Sequence, residues 1–188
     1  MESYLEIIGT LVGFVYLWLE YRASIYLWVV NIIMPAIYLV LFYDAGLYAD
    51  TAINIYYLVV TLYGIVAWRK GKGGSSELTI SHITARSAAA MVALYAVTQL
   101  LFWYLLSRYT DSTVPLFNAL TSALSVVGMW MLARKYIEQW MVWIVVDILS
   151  AALYAHKGLY LTAMLYTAYA VVAVFGYRKW KKLMKDNE

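Results

Sequence analysis

Long apolar runs alternate with short polar breaks along this chain. Runs free of Asp, Glu, Lys and Arg cover 23–43, 51–68, 87–107, 112–133 and 158–177. A helix needs about 20 mostly apolar residues to cross a bilayer, so each run predicts one crossing. Two more crossings follow if a single acid is conceded in each. One runs from about 4 to 19 and carries Glu6 near its outer end; the other runs from 139 to 155 and carries Asp147 at its middle. The pattern predicts seven transmembrane α-helices. Unbroken apolar runs without alternation over about ten residues exclude a transmembrane β-barrel.

Composition agrees. The 188 residues are 64% hydrophobic and 13% charged, where soluble domains carry about 25% charged and 45–50% apolar residues. That excludes a soluble globular domain, a disordered chain and a nucleic-acid partner. No cysteine is present, so there is no disulfide framework, thiolate metal site or cysteine nucleophile. His82 and His156 are too few and too far apart for a histidine metal cluster, and no cofactor is implied.

The distribution of charge sets an orientation. With the N-terminus outside, the inner segments hold Arg22, Arg69, Lys70, Lys72, Arg86, Arg134, Lys135, Arg178, Lys179, Lys181, Lys182 and Lys185. The outer ones hold only Arg108 and Lys157. The positive-inside rule therefore predicts a multi-pass membrane protein with its N-terminus outside and its C-terminus in the cytoplasm. No Lys or Arg precedes Arg22, so the start lacks the basic region of a cleaved signal peptide. Glu2, Glu6, Asp44, Asp50 and Asp111 fall outside; they are either solvated loop residues or a mildly acidic entrance that favours cations. The longest loop, from about 69 to 86, contains Gly71, Gly73, Gly74, Ser75 and Ser76, a flexible linker composition.

The chain also repeats itself at an offset of 112 residues. Gly46, Leu47 and Tyr48 recur as Gly158, Leu159 and Tyr160, and Tyr57, Val59 and Val60 as Tyr169, Val171 and Val172. Gly64 recurs as Gly176, Trp68 as Trp180, Lys70 as Lys182 and, one helix earlier, Trp28 as Trp140. The predicted organisation is a three-helix bundle (1–70), a linker with helix four (71–111) and a second three-helix bundle (112–182). An even number of crossings separates helices three and seven, so the copies are expected to be parallel. Parallel repeats are a transporter architecture with the substrate between them near the midplane, and two bundles that rock would expose it to each side in turn.

An acid at membrane depth faces a cavity or a partner. Asp147 shares a helical face with Trp143, four residues before it, and Tyr154, seven after it. Carboxylate and aromatic plane together suit a flat cationic ring; the alternative is a neutral Asp147 hydrogen-bonded to a neighbouring helix. In the first copy Pro35 takes the place of Asp147. A helical proline frees the carbonyl four residues back, here that of Asn31 beside the Asn31 amide, although neighbouring helices can satisfy such a kink. The other candidate binding residues are Trp28, Asn54, Gln99 and Asn118, with Tyr166 and Tyr169 halfway along helix seven. Asn118, Ser122 and Ser125 recur at a spacing that equally suits helix packing. Trp18, Trp68, Trp103 and Trp180 lie near span ends and read as interfacial anchors.

No HExxH, GxSxG or P-loop motif is present, and no lysine falls within the seventh span. Enzyme chemistry, a retinal Schiff base and direct ATP coupling therefore have no visible basis.

Two stretches, SIYLWVVNIIMPAIYLVLFYDAGLYAD (24–50) and LARKYIEQWMVWIVVDILSAALYAHKGLYLTAMLYTAYAVVAVFGYRKWKK (132–182), carry a resemblance. With the three-plus-one-plus-three layout, they make the chain similar to the Pnu vitamin transporters, bacterial carriers of nicotinamide riboside and thiamine. The KGLYLTA and GYRKWKK pieces are the specific ones. The resemblance implies facilitated diffusion of a dephosphorylated vitamin, trapping by a cytoplasmic vitamin kinase, a fold like the sugar-carrying SWEET proteins with different wiring, and a homotrimer. The family's Trp-x-x-x-Asn pattern in helix six stands here as Trp143-x-x-x-Asp147. An amide both donates and accepts, whereas a carboxylate only accepts and favours a cation with N–H donors. On that ground the expected substrate is thiamine, with nicotinamide riboside as the alternative. A passive channel and a membrane-embedded ligand sensor are the readings from other classes.

Overall fold

The structure is a computed structural model that describes residues 2–44, 48–70, 78–110, 114–156, 158 and 160–186. Within this set lie seven helices: α1 (Glu2–Tyr21), α2 (Leu27–Asp44), α3 (Tyr48–Lys70), α4 (Ala85–Tyr109), α5 (Pro115–Ala133), α6 (Gln139–His156) and α7 (Tyr160–Lys185). Each coincides with one predicted crossing. Among the described residues there is no strand beyond one isolated bridge, Ser81 to Tyr136. By length and composition alone, α4, α5 and α6 are long and apolar enough to cross a membrane. The Gly/Ser stretch 71–76 and Lys72, Asp111 and Lys157 lie outside the described residues, as do the side chains of Glu2, Glu6, Asp44 and Asp50. The expected acidic entrance falls on those positions.

The helices group into two compact units, Met1–Thr79 and Ile80–Asp186. In the first, α2 packs chiefly on α3 and α1 contributes a lighter contact to α2. In the second, α6 packs on α7, α5 on α6 and α4 on α5. The helix between the two triplets therefore shares a unit with the later triplet.

The repeat seen in the sequence recurs as geometry. After α1, Ala23 takes φ +51°, its N–H donates to the Glu20 carbonyl at 2.9 Å, and the Ser24 N–H reaches back to Leu19 O at 2.9 Å. After α5, Lys135 takes φ +57°, its N–H donates to Leu132 O at 2.8 Å, and the Tyr136 N–H reaches Met131 O at 3.0 Å. This is the Schellman termination, in which a left-handed residue lets two backbone donors satisfy the last carbonyls of the helix. Neither turn uses glycine. Both continue alike into the next helix, through Leu27 N to Ser24 O (3.1 Å) in one and Gln139 N to Tyr136 O (3.2 Å) in the other.

A tryptophan lock closes each unit. Trp28 meets Trp68 edge-to-face at 5.5 Å and 89°, and Trp140 meets Trp180 at 5.7 Å and 88°. The first ring of each pair lies flush on a glycine. A Cβ on Gly64 would come within 2.5 Å of Trp28, and one on Gly176 within 2.6 Å of Trp140. All four indoles are buried. This corrects the reading of Trp68 and Trp180 as interfacial anchors. Proximity to a span end does not expose a ring when a glycine one turn earlier lets the neighbouring helix approach. Trp18 and Trp103 are the exposed ones.

The segment before α4 is tied to the α5–α6 turn. Ser81 N donates to Lys135 O and Ile137 N to Ser81 O, while the Glu138 carboxylate accepts from Ile83 N at 3.0 Å and meets His82 Nδ1 at 2.7 Å. Thr84 then caps α4 by accepting from Ser87 N. Tyr136, Val127 and Met131 form a small core there, covered by Ile83, Met91, Leu94, Tyr95 and Val142.

Candidate functional site

The chemistry of the second unit gathers between α6 and α7. Asp147 lies in the middle of α6 and is 7% exposed. Among the described residues it has neither an ion pair nor a hydrogen bond. The facing side of α7 brings Tyr166 and Tyr169 within electrostatic reach of its carboxyl. Tyr154, two turns beyond Asp147 on α6, stacks on Tyr166 with centroids 5.2 Å apart and ring planes 25° from parallel, and their hydroxyls are hydrogen-bonded. Tyr166 and Tyr169 meet edge-to-face at 5.8 Å. Two tyrosines thus adjoin one unpaired carboxyl, and a third, Tyr154, packs on one of them.

Trp143 stands one turn before Asp147. Its indole lies across Gly128 of α5, where a Cβ would come within 3.2 Å of the ring, and its Nε1 is buried without a partner among the described residues. A carboxyl that accepts hydrogen bonds, phenol hydroxyls that give or take them, and a flat indole with a spare donor form a set that recognises a planar cation with polar substituents. A buried charge without a partner is costly, so this arrangement favours a ligand that brings the opposite charge.

The polar groups of the first unit are of another kind. Asn31 on α2 donates its Nδ2 to Thr61 Oγ1 of α3 at 2.9 Å, so that amide is engaged by a neighbouring hydroxyl. Thr51, Asn54 and Thr61 are all buried on α3, three and seven residues apart and hence on one face. Trp28, expected as a binding residue, is the fully buried ring of the lock. Pro35 is buried within a continuous α2. One residue here, Glu20, is absent from the sequence reading. Glu20 is 2% exposed at the end of α1 and accepts a hydrogen bond from the Tyr16 hydroxyl, with Tyr57 close by. Tyr16, one turn earlier on the same helical face, is the signal in the sequence that points to it.

The remaining candidates, Gln99 and Asn118, lie on α4 and α5. Gln99 lies on α4 with its Oε1 buried and without a partner among the described residues. Asn118 is half-buried in the first turn of α5. No hydrogen bond joins either to Asp147. One and two turns below Asn118, the hydroxyls of Thr121 and Ser125 bond back to carbonyls of their own helix.

With this geometry in hand, comparison with known proteins is informative. A family model described as nicotinamide mononucleotide transporter matches residues 3–182. The chain belongs to that family. Its members in the comparison are transporters, which makes this chain a multi-pass membrane transporter and not an enzyme. It is 22% identical to the nicotinamide riboside transporter PnuC of Escherichia coli, over 95% of this chain and 85% of that one. It is 25% identical to the riboflavin/roseoflavin transporter RibM of Streptomyces davaonensis, over 93% and 83%. The crystal structure of the vitamin B3 transporter PnuC superposes with a TM-score of 0.74 at 26% identity, over 99% of this chain and 84% of that one. The resemblance drawn from the sequence and the all-helical membrane fold hold. None of these names supports thiamine; the nicotinamide riboside alternative fits them better.

Proposed function

We propose that the protein carries nicotinamide riboside across the bacterial inner membrane by facilitated diffusion, with Asp147 as counter-charge to the pyridinium ring. The observation that carries this reading is the buried Asp147 carboxyl, without a cationic partner among the described residues and bordered by Tyr166 and Tyr169. Nicotinamide riboside has a flat permanent cation, a carboxamide and ribose hydroxyls, which match the carboxylate, the aromatic faces and the phenols in turn. The family and its relatives carry the names of nicotinamide mononucleotide, nicotinamide riboside and riboflavin, and charge chooses among them. A phosphate monoester adds about −1.5 to −2 charge at neutral pH. The mononucleotide is therefore a net anion that an unpaired carboxylate repels, whereas the riboside is a cation. Riboflavin is neutral and gains nothing from the charge of Asp147.

The remaining parts of the reading follow from charge and from the resemblance. The N-terminus is outside and the basic C-terminus is in the cytoplasm. A cytoplasmic kinase that adds the phosphate makes a product this site does not accept, so entry becomes one-way without ion or ATP coupling. A homotrimer is the proposed assembly.

Counterflow in proteoliposomes tests the reading. Liposomes loaded with unlabelled nicotinamide riboside should take up the labelled compound, and the mononucleotide should compete at least tenfold more weakly. Equal competition by the two would overturn the assignment. Uptake above the outside concentration under a proton or sodium gradient would overturn facilitated diffusion.

A further inference from the structure

The end of α7 carries charge that its counterpart in the repeat lacks. At the 112-residue offset, Val66 and Ala67 of α3 align with Arg178 and Lys179 of α7. Val66 is exposed in line with Leu62 and Val59, so this face of α3 is apolar. On α7 a guanidinium occupies the same level. α3 is described as far as Lys70, two residues past its lock tryptophan, and the Leu78 N–H returns to Trp68 O at 3.0 Å. α7 continues past Trp180 to Lys185.

At 3.6 residues per turn, Arg178, Lys181, Lys182 and Lys185 fall within an arc of about 100°, with Trp180 on the far side of the helix. The four cations are exposed, and Trp180 is fully buried against Trp140. The stripe therefore rides on an anchored helix. None of the four forms an ion pair among the described residues. With its 26 residues, α7 is about 39 Å long, against roughly 30 Å for the hydrocarbon core. That surplus is long enough for its last turns to reach the level of the lipid headgroups.

We infer that this stripe is a binding surface for the phosphodiester headgroups of anionic phospholipids. An arginine at the level of a lipid-facing valine lays its stem along the apolar helix and lifts its guanidinium to the phosphate plane. That guanidinium can grip a phosphate with two parallel hydrogen bonds, and the lysines add point charges one turn further out. Basic clusters beside a membrane-spanning helix attract anionic leaflets in this way. The first repeat acts as an internal control. A triplet with the same turn and the same lock has Val66 and Ala67 where α7 has Arg178 and Lys179, so charge at that level is not a requirement of the packing. The inference does not depend on the identity of the substrate.

The test uses the full chain in nanodiscs of phosphatidylcholine mixed with phosphatidylglycerol, with lipid retained after detergent extraction counted by native mass spectrometry. The parent protein should enrich phosphatidylglycerol, and added salt should erode the enrichment. The variant R178Q/K181Q/K182Q/K185Q should lose about tenfold or more of it, while R69Q/K70Q should change it less than twofold. K182Q/K185Q alters only residues beyond the lock and serves if the larger variant fails to insert; it should lose about threefold. Equal enrichment in the parent and K182Q/K185Q would overturn the inference. So would displacement of the lipid by inorganic phosphate at an equal concentration, because the surface would then be a site for soluble anions.

Discussion

The triplets α1–α3 and α5–α7 share a skeleton and differ in what they mount on it. The left-handed turn residues Ala23 and Lys135, the hydrogen bonds around them, and the two Trp–Gly–Trp locks all recur at the same offset. The polar equipment does not recur. Asn31 gives way to Trp143, Pro35 to Asp147, Asn54 to Tyr166 and Thr61 to Ala173, while Tyr57 is kept as Tyr169. A position that sets how closely two helices approach is constrained in both copies by the same sterics. A position that meets a ligand is constrained by chemistry, which the second copy is free to change. Divergence against a repeated background therefore marks the candidate site: α6 and α7 hold the charge and the rings, and α2 and α3 hold an amide–hydroxyl pair.

If the locks are equivalent, breaking them should do equal damage. A methyl group on Gly64 or Gly176 lands inside van der Waals contact with a fully buried indole that has no free space to move into. Overpacking of this kind costs typically 1–3 kcal/mol and occasionally more, so Gly64→Ala and Gly176→Ala should each lose about 3 kcal/mol. Thermal midpoints in one detergent, read by intrinsic fluorescence, would rank them. A smaller aromatic should relieve the clash, so Trp140→Phe should recover part of the loss in the Gly176→Ala background. A large loss in only one of the two glycine variants would show that the locks bear unequal strain.

The next effect is on binding and is confined to the second unit. Asp147→Asn keeps the volume and removes the charge. A hydrogen bond to a charged group is worth about 1.5–3 kcal/mol, and about 1.4 kcal/mol is tenfold in affinity. Nicotinamide riboside should bind roughly ten- to a hundredfold more weakly, and its preference over the mononucleotide should shrink. Calorimetric titration of both ligands on parent and variant reads this directly. An unchanged preference would make Asp147 a packing residue and leave the two triplets functionally alike.

Thr61→Ala makes the converse test in the first unit. It removes the partner of the Asn31 amide and copies the Ala173 of the second triplet. A net hydrogen bond contributes about 1 kcal/mol, so stability should fall by about 1 kcal/mol. The preference for riboside over mononucleotide should stay within twofold, because no charge is altered. A shift in that preference as large as the one from Asp147→Asn would place ligand selection on α3 as well.

Much of this was legible in the sequence because membranes permit few solutions. Seven apolar runs became seven helices, and Asp147 stood out as a charge in an apolar run. The aligned Gly64 and Gly176 with Trp28 and Trp140 held the lock in plain view, yet the interfacial habit of tryptophan hid it. That habit is an average over exposed rings; it says nothing about a ring for which a partner helix has made room. Glu20 was hidden for a related reason. Hydropathy cannot separate an acid just past a span from one folded back under Tyr16. The expectation of thiamine treats Asp147 as an acceptor of N–H donors, although a pyridinium needs only its charge.

The smallest effect tests the turns and has the opposite sign. An L-residue in the left-handed region costs roughly 1–2 kcal/mol, and glycine avoids that cost while losing more backbone entropy on folding. At Ala23 the side chain is a single methyl, so Ala23→Gly gives up almost no packing and should gain about 0.5 kcal/mol. Lys135 sits at the matching φ but is 6% exposed, and its aliphatic stem is part of the buried surface around the turn. Lys135→Gly forfeits that burial while gaining the same backbone relief, so it should come out neutral or destabilising. Thermal midpoints of the two variants should therefore move apart, upward for Ala23→Gly and level or downward for Lys135→Gly. A rise in both would mean that the buried lysine contributes nothing to the α5–α6 turn and that the two turns are equivalent in energy as well as in shape.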